Sequence, residues 1–221
     1  MKTSLQDYEF NMLKKSQDEQ FPYEIEYFGK KFIVLEGVYS PKYFPVTDLF
    51  AMQLPCWPGI EFLEIGTGVG MIALFVAFKG ASKVVATDIN PDAVKNAQQN
   101  VILHNLEHVV EVRQGDVYSP INKGEKFDLI FWNVPFESKN MELSTLEMSL
   151  YDFEYQATKK YLLDAPKYLK PGGRLLMAFS TTIGDFNAIT QILKDTDMRL
   201  ELFWRVDRPD SNKLEIFELR F

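Results

Sequence analysis

The chain reads as an α/β protein built on a mostly parallel sheet with helices on both faces, and three observations carry that reading. From residue 60 onward, short apolar runs alternate with helical patterns through four successive strand–helix repeats, which a parallel sheet requires. The first of these strands, Phe62-Leu63-Glu64-Ile65, runs into the glycine-rich turn Gly66-Thr67-Gly68-Val69-Gly70. Later strands end on Asp88 and on Asn133-Val134-Pro135-Phe136. Open α/β sheets bind ligands outside the carboxyl ends of their strands, so these three sites predict a pocket along one sheet edge.

The elements follow in order. Residues 1 to 20 are polar, with Leu5, Tyr8, Met12 and Leu13 at helical spacing, which predicts a short N-terminal helix placed as a lid. Tyr23 to Phe28 and Lys31 to Leu35 flank Gly29-Lys30 and predict a β-hairpin. Thr47 or Asp48 can cap a short helix over Leu49 to Leu54, which Pro55 and Pro58-Gly59 stop. Strands are expected near 60–65, 83–87, 109–113, 127–132, 174–180, 199–206 and 214–219. Helices are expected near 69–79, 91–103, 154–169 and 185–195, the second opened by Asn90-Pro91 and the third ended by Lys170-Pro171-Gly172-Gly173. The last two strands, joined through Arg208-Pro209-Asp210-Ser211-Asn212, read as an antiparallel hairpin. The expected organisation is one structural domain: residues 1–58 as helix, hairpin and covering loop, and 59–221 as the catalytic core.

Composition narrows the classes. A chain of 221 residues can bury one sizeable core, and 46% hydrophobic content fits a globular protein. No run approaches the about 18 apolar residues that span a bilayer, and the N-terminus lacks a secretory pattern. A single cysteine, Cys56, excludes an intramolecular disulfide and fits a reducing compartment, so the cytoplasm is expected. The net charge of −7 argues against a broad nucleic-acid surface, although a local basic patch would suffice for one. No metal-ligand spacing is present, and His104 and His108 read as helix-end and surface residues.

The turn itself is chemically selective. Glycine allows positive φ and close approach of a ligand to the backbone, and the following helix start presents free N–H groups. The spacing is G-x-G-x-G, with Met71 where a dinucleotide fingerprint would carry its last glycine. Glu64 before the turn would repel a pyrophosphate and suits a cationic ligand. Asp88, 22 residues after Gly66, stands where a carboxylate accepts from ribose hydroxyls. A ribose-bearing cation points to S-adenosylmethionine, which leaves S-adenosylhomocysteine as product.

On these residues the chain resembles the class I S-adenosylmethionine-dependent methyltransferases. Within them it resembles the methyltransferase small domain group, which includes release-factor glutamine and ribosomal RNA guanine-N2 methyltransferases. The resemblance runs from about Tyr23 to Phe221. It implies a seven-stranded sheet with a reversed final hairpin. It also implies cofactor contacts from Glu64, Gly66, Thr67, Gly68, Gly70, Asp88, Ile89, Asp116, Val117 and Asn133. Asn133-Val134-Pro135-Phe136 resembles the Asn-Pro-Pro-[Tyr/Phe] turn of the amino-methylating branch and departs from it at Val134. A main-chain carbonyl does the work at that position, so valine can still supply it. The resemblance therefore implies that the Asn133 side-chain oxygen and the Val134 carbonyl hold the acceptor's N–H bonds. Pro135 would stiffen the turn, and Phe136 would stack on a planar substrate. Gly37 to Pro41 resembles the covering loop of the group, making Tyr39, Tyr43, Phe44 and Thr47 expected pocket walls. Trp132 reads as core.

The expected activity is methyl transfer to a planar amino or amide nitrogen: a nucleobase in RNA or DNA, a protein glutamine, or a small-molecule amine. A partner subunit could deliver the substrate. A non-catalytic cofactor-binding scaffold is the alternative, which the intact glycine turn and Asn-x-Pro-Phe turn argue against. A nicotinamide oxidoreductase is disfavoured by the glycine spacing and by Glu64.

Overall fold

The computed structural model describes residues 5–209 and 212–221, with side chains from Tyr8 onward. The expected helix anchor Leu5 and the hairpin-turn residues Asp210 and Ser211 therefore lie outside the described side chains or residues. In chain order, α1 (Leu5–Ser16) precedes a hairpin of β1 (Tyr23–Tyr27) and β2 (Lys30–Val34), and α2 (Thr47–Gln53) leads into the core. The core begins with β3 (Glu61–Ile65), α3 (Met71–Phe78), β4 (Lys83–Asp88), α4 (Pro91–Leu103), β5 (Val110–Gln114) and β6 (Phe127–Asn133). Two very short strands, β7 (Glu137–Ser138) and β8 (Tyr151–Asp152), precede α5 (Gln156–Asp164). The chain closes with β9 (Leu169–Phe179), α6 (Phe186–Ile192), β10 (Arg199–Asp207) and β11 (Lys213–Arg220).

Seven strands form one sheet in the order β10-β11-β9-β6-β3-β4-β5. The five strands from β9 to β5 run parallel, and β11 and β10 are antiparallel, as expected. The chain starts in the middle at β3, walks outward through β4 and β5, and returns beside β3 with β6. That reversal makes the β3/β6 boundary the switch point, where a crevice opens at the strand ends.

Alternation along the strands divides the core. Phe62, Val84, Ala86, Leu129 and Phe131 face α2, α3, α4 and the hairpin. Leu63, Ile65, Val85, Ile130 and Trp132 face α5 and α6. Phe62 and Phe131 are fully buried, and truncating such a residue to alanine typically costs about 3–5 kcal/mol. α4 starts as its sequence demands, with the Asn90 side chain accepting from Asp92 N at 3.0 Å and Pro91 at the first helical position.

Two differences from the expected elements have physical reasons. β9 starts at Leu169, so Lys170 to Gly173 lies within the strand as an irregularity instead of ending a helix; its register against β6 shifts between Phe127 and Leu129. The helix expected over 154–169 is shortened to α5, because Glu154 and Tyr155 both take left-handed backbone angles (φ 48° and 52°) that no helix continues.

Candidate active site

Strand register assembles the site. Ile65 lies opposite Thr87 on one side and opposite Trp132 on the other, so the next residues, Gly66, Asp88 and Asn133, emerge side by side. Asp88 in turn lies opposite Gln114, which brings Gly115-Asp116-Val117 onto the same edge. A cavity of about 280 Å³ opens there, and it is lined by Glu64, Gly66, Thr67, Gly68, Asp88, Ile89, Asp116, Val117, Asn133 and Pro135, among others.

The glycine turn is braced from beneath. Gly66 has φ +66°, and a Cβ there would sit 2.6 Å from the Trp132 indole nitrogen, so both conformation and space demand glycine. Glu64 is buried, and its Oε2 accepts from Thr67 Oγ1 (2.7 Å) and from Ala73 N (3.0 Å). Burial pushes its carboxyl up to about 8, against the pull of those two hydrogen bonds. Glu64 thus tethers the turn to the first turn of α3 while also lining the cavity. Asp88 accepts from Gly68 N and from Asn90 N, both at 2.9 Å, through different oxygens. Each carboxylate oxygen has more than one acceptor site, so the pair keeps capacity for two ligand hydroxyls. Burial raises the Asp88 carboxyl, and the N–H groups of Gly68, Asn90 and Ile89 oppose the rise. Gly70 caps α3 from below the cavity floor, packed on Ala97 of α4.

Beyond β5, Val117 holds an unusual φ of +50° while buried against the cavity. Asp116 lines the cavity too, and its carboxylate is bridged by Lys160 of α5. Trp132 departs from the expectation of a purely core residue: it is buried on α5 yet also forms cavity wall under Gly66.

The turn Asn133-Val134-Pro135-Phe136 leaves the end of β6. Asn133 lines the cavity with its Oδ1 buried and without a hydrogen-bond partner among the described residues. An unpaired buried acceptor of this kind costs about 1–3 kcal/mol, so a fold keeps one where a ligand will satisfy it. Two residues absent from the sequence reading hold the turn from behind. Tyr155 donates to the Phe136 carbonyl at 3.0 Å and accepts from Asp185 N at 3.1 Å. Gly184 passes so close that a Cβ would lie 2.0 Å from that same carbonyl oxygen.

Gly70 and four further expected contacts fall outside the cavity lining. The Phe136 ring packs edge-on against Phe179 (centroids 5.7 Å apart, 71°), so it does not line the cavity as a stacking platform. Val134 is buried among the α5-side core residues and is also outside the lining set. Tyr43 points its hydroxyl to Glu19 (2.5 Å), and Phe44 is stacked beneath Tyr39 (4.3 Å, 17°). Tyr39 and Thr47 do line the cavity.

The cavity is completed instead by residues 143–157, including Leu143, Leu146, Met148, Tyr151 and Phe153. This segment carries little sequence signal, because its strands are two residues long and its turns lack periodicity. Asp152 anchors it, accepting from Ala157 N (3.1 Å) and Thr158 N (2.8 Å) at the start of α5. α1 packs on it: Leu13, Phe10 and Met12 share a small apolar cluster with Leu143, Leu146, Leu150 and Tyr151. The covering loop is tied to both sides, with Gly37 N donating to Gln17 after α1 and Asn90 of α4 donating to the Gly37 carbonyl, each at 2.8 Å. Asn100 adds a cross-tie from α4, donating to the carbonyls of Ile33 and Val69 at 2.8 Å.

A glycine cradle, a ribose-type carboxylate at the next strand and an Asn-x-Pro turn at the switch point define a class I methyltransferase site. The glycine-only space over Trp132 and the Asp88 carboxylate fit the backbone approach and hydroxyl pair of S-adenosylmethionine. Residues 29–201 match the family model described as methyltransferase small domain. The chain belongs to that family and is an S-adenosylmethionine-dependent methyltransferase. It is 32% identical over 158 residues to a Methanocaldococcus jannaschii protein provisionally named as a protein N5-glutamine methyltransferase, covering 67% of this chain and 76% of that one. It is 32% identical over 186 residues to the release factor glutamine methyltransferase of Koribacter versatilis, covering 77% of this chain and 64% of that enzyme. The T. thermophilus 16S rRNA N2 G1207 methyltransferase, solved with AdoMet and guanosine, superposes with a TM-score of 0.63 at 18% identity over 90% of this chain and 50% of that one. At that identity the likeness speaks for the fold. Among the described residues no group of acidic, histidine or cysteine side chains could hold a metal, and no helix is long and apolar enough to cross a membrane.

Proposed function

We propose that this protein methylates a planar amide or amino nitrogen, with the side-chain carboxamide of a protein glutamine as the first candidate acceptor. The observation that carries the proposal is the buried, unpartnered Asn133 Oδ1 at the cavity beside the glycine cradle. The glutamine methyltransferase names of the two relatives favour the carboxamide over a nucleobase. Because the chain spans 64% of the Koribacter enzyme, the acceptor and any partner subunit that delivers it are part of the proposal.

The chemistry that bound S-adenosylmethionine supplies is a methyl carbon carried on a positively charged sulfur. An amide nitrogen is a poor nucleophile because its lone pair is delocalised. Asn133 accepting one N–H bond would hold the nitrogen with its π face toward the donor side of the cavity. Pro135, with φ fixed by its ring, and Tyr155 behind Phe136 keep the acceptor oxygen in place. Most of the acceleration then comes from orientation and proximity, with the spent proton released to solvent.

Labelled methyl transfer from S-adenosylmethionine into separate protein, RNA and small-metabolite pools tests this reading. Label is expected in the protein pool. Asn133→Ala should lower turnover at least about tenfold while S-adenosylhomocysteine affinity changes far less. Equal losses in both would make Asn133 a cofactor residue. Label in no pool, with S-adenosylhomocysteine still bound, would favour a cofactor-binding scaffold.

A further inference from the structure

The Tyr151 side chain is the second buried polar group that the fold leaves open at this cavity. The residue is 1% exposed, lines the cavity, and its hydroxyl has no hydrogen-bond partner among the described residues. Three other enclosed tyrosines are satisfied internally. Tyr118 donates to the Tyr161 carbonyl at 2.9 Å, Tyr161 to the Leu176 carbonyl at 2.7 Å, and Tyr155 to Phe136. Among these four, the open hydroxyl belongs to the one that lines the cavity.

Its position is set by the catalytic turn. β8 pairs in parallel with β7, placing Tyr151 opposite Glu137, the residue that follows Asn133-Val134-Pro135-Phe136. The ring is fixed in the apolar cluster under α1, and the Lys139 ammonium sits 3.5 Å from its centroid. Asn133 Oδ1 can only accept, whereas a tyrosine hydroxyl can donate. The two open groups on one cavity are therefore complementary to a unit that carries an N–H and a conjugated acceptor atom together.

We propose that Tyr151 is a specificity-determining residue whose hydroxyl donates to the carbonyl oxygen of the carboxamide whose nitrogen Asn133 holds. This rests on the reading of the acceptor as an amide. A carboxamide satisfies both groups at once. An aliphatic ammonium has no acceptor for Tyr151 and would leave the hydroxyl buried and unpaired. A site built to hydrogen-bond its substrate rejects an analogue that lacks the matching atom.

The test is Tyr151→Phe in the full chain, which removes one oxygen and keeps the ring. Two readouts are needed. With S-adenosylhomocysteine saturating, binding of N-acetylglutamine amide and of N-acetylornithine amide is followed by NMR titration. Wild type should bind the carboxamide about tenfold more tightly than the variant, and the amine should bind both proteins equally weakly. Methyl transfer into protein extract should fall about tenfold or more in kcat/KM, mainly through KM, with S-adenosylhomocysteine affinity within about twofold of wild type. Melting temperature should hold or rise, because the hydroxyl has no internal bond to lose. A lowered melting temperature with unchanged acceptor binding would assign Tyr151 to structure and overturn the proposal. Absence of carboxamide binding to wild type, or Tyr151-dependent binding of guanosine in its place, would overturn it too. Label absent from protein despite Tyr151-dependent carboxamide binding would instead remove the methyl-transfer reading and leave the recognition role standing.

Discussion

The cofactor side and the acceptor side of the cavity are built on opposite terms. On the cofactor side the polar groups hold one another. Glu64 braces Thr67 and Ala73, and Asp88 takes the N–H groups of Gly68 and Asn90. All of these sit at the ends of long, paired strands at the centre of the sheet. On the acceptor side, Asn133 Oδ1 and the Tyr151 hydroxyl are buried without partners among the described residues. The wall that carries Tyr151 is built from two-residue strands and short turns packed on α1. The difference is instructive. On the proposed function, a ligand of fixed shape meets a finished cradle, whereas the acceptor would complete a site that the described residues leave unsatisfied.

The sharpest way to break this comparison is Gly66→Ala. The new methyl would collide with the Trp132 indole at 2.6 Å in a backbone conformation that L residues rarely adopt. S-adenosylhomocysteine affinity measured by calorimetry should fall about 100-fold or more. A loss under about threefold would mean that the cradle is soft and the contrast between the two sides is wrong.

Gly184→Ala probes the other side. Its Cβ would press on the Phe136 carbonyl and on the Phe179 ring, at 2.0 and 2.3 Å, and so displace the catalytic turn without touching the glycine cradle. Turnover should drop about tenfold to 100-fold while S-adenosylhomocysteine affinity stays near wild type. A parallel fall in both would show that the two sides move as one body.

The smallest expected effect is the pH dependence set by Glu64. Its carboxyl is raised by burial from an ordinary value of 4.5 to about 8, so the folded protein holds a proton there that the unfolded chain has released. The corresponding stability is fully present below 4.5 and is lost as pH rises through about 8. Chemical denaturation across that range should show a decline in unfolding free energy for wild type and a flatter profile for Glu64→Gln, which keeps one acceptor oxygen for Thr67 and Ala73. Identical slopes would place the titrating group elsewhere.

Much of the cofactor side was legible in advance because its chemistry is local. Gly66 to Gly70 is a contiguous turn between a strand and a helix, and Asp88 and Asn133 each terminate a periodic apolar run. Parallel pairing in register then brings them together without further information. The acceptor side was misread where identity had to stand in for position. Phe136 looks like a stacking platform by residue type, but its ring turns onto Phe179, and Tyr43 and Phe44 turn away to Glu19 and Tyr39.

The sheet and the glycine turn follow from the chain alone, because hydrophobic periodicity and glycine spacing are short-range properties that a chain carries wherever it folds. Only the tertiary structure decided which residues face the acceptor. Tyr151, Tyr155 and Gly184 act through contacts with residues 14 to 48 positions away in the chain. Whether a buried hydroxyl is satisfied or left open depends on what the rest of the fold places around it, and no local pattern records that.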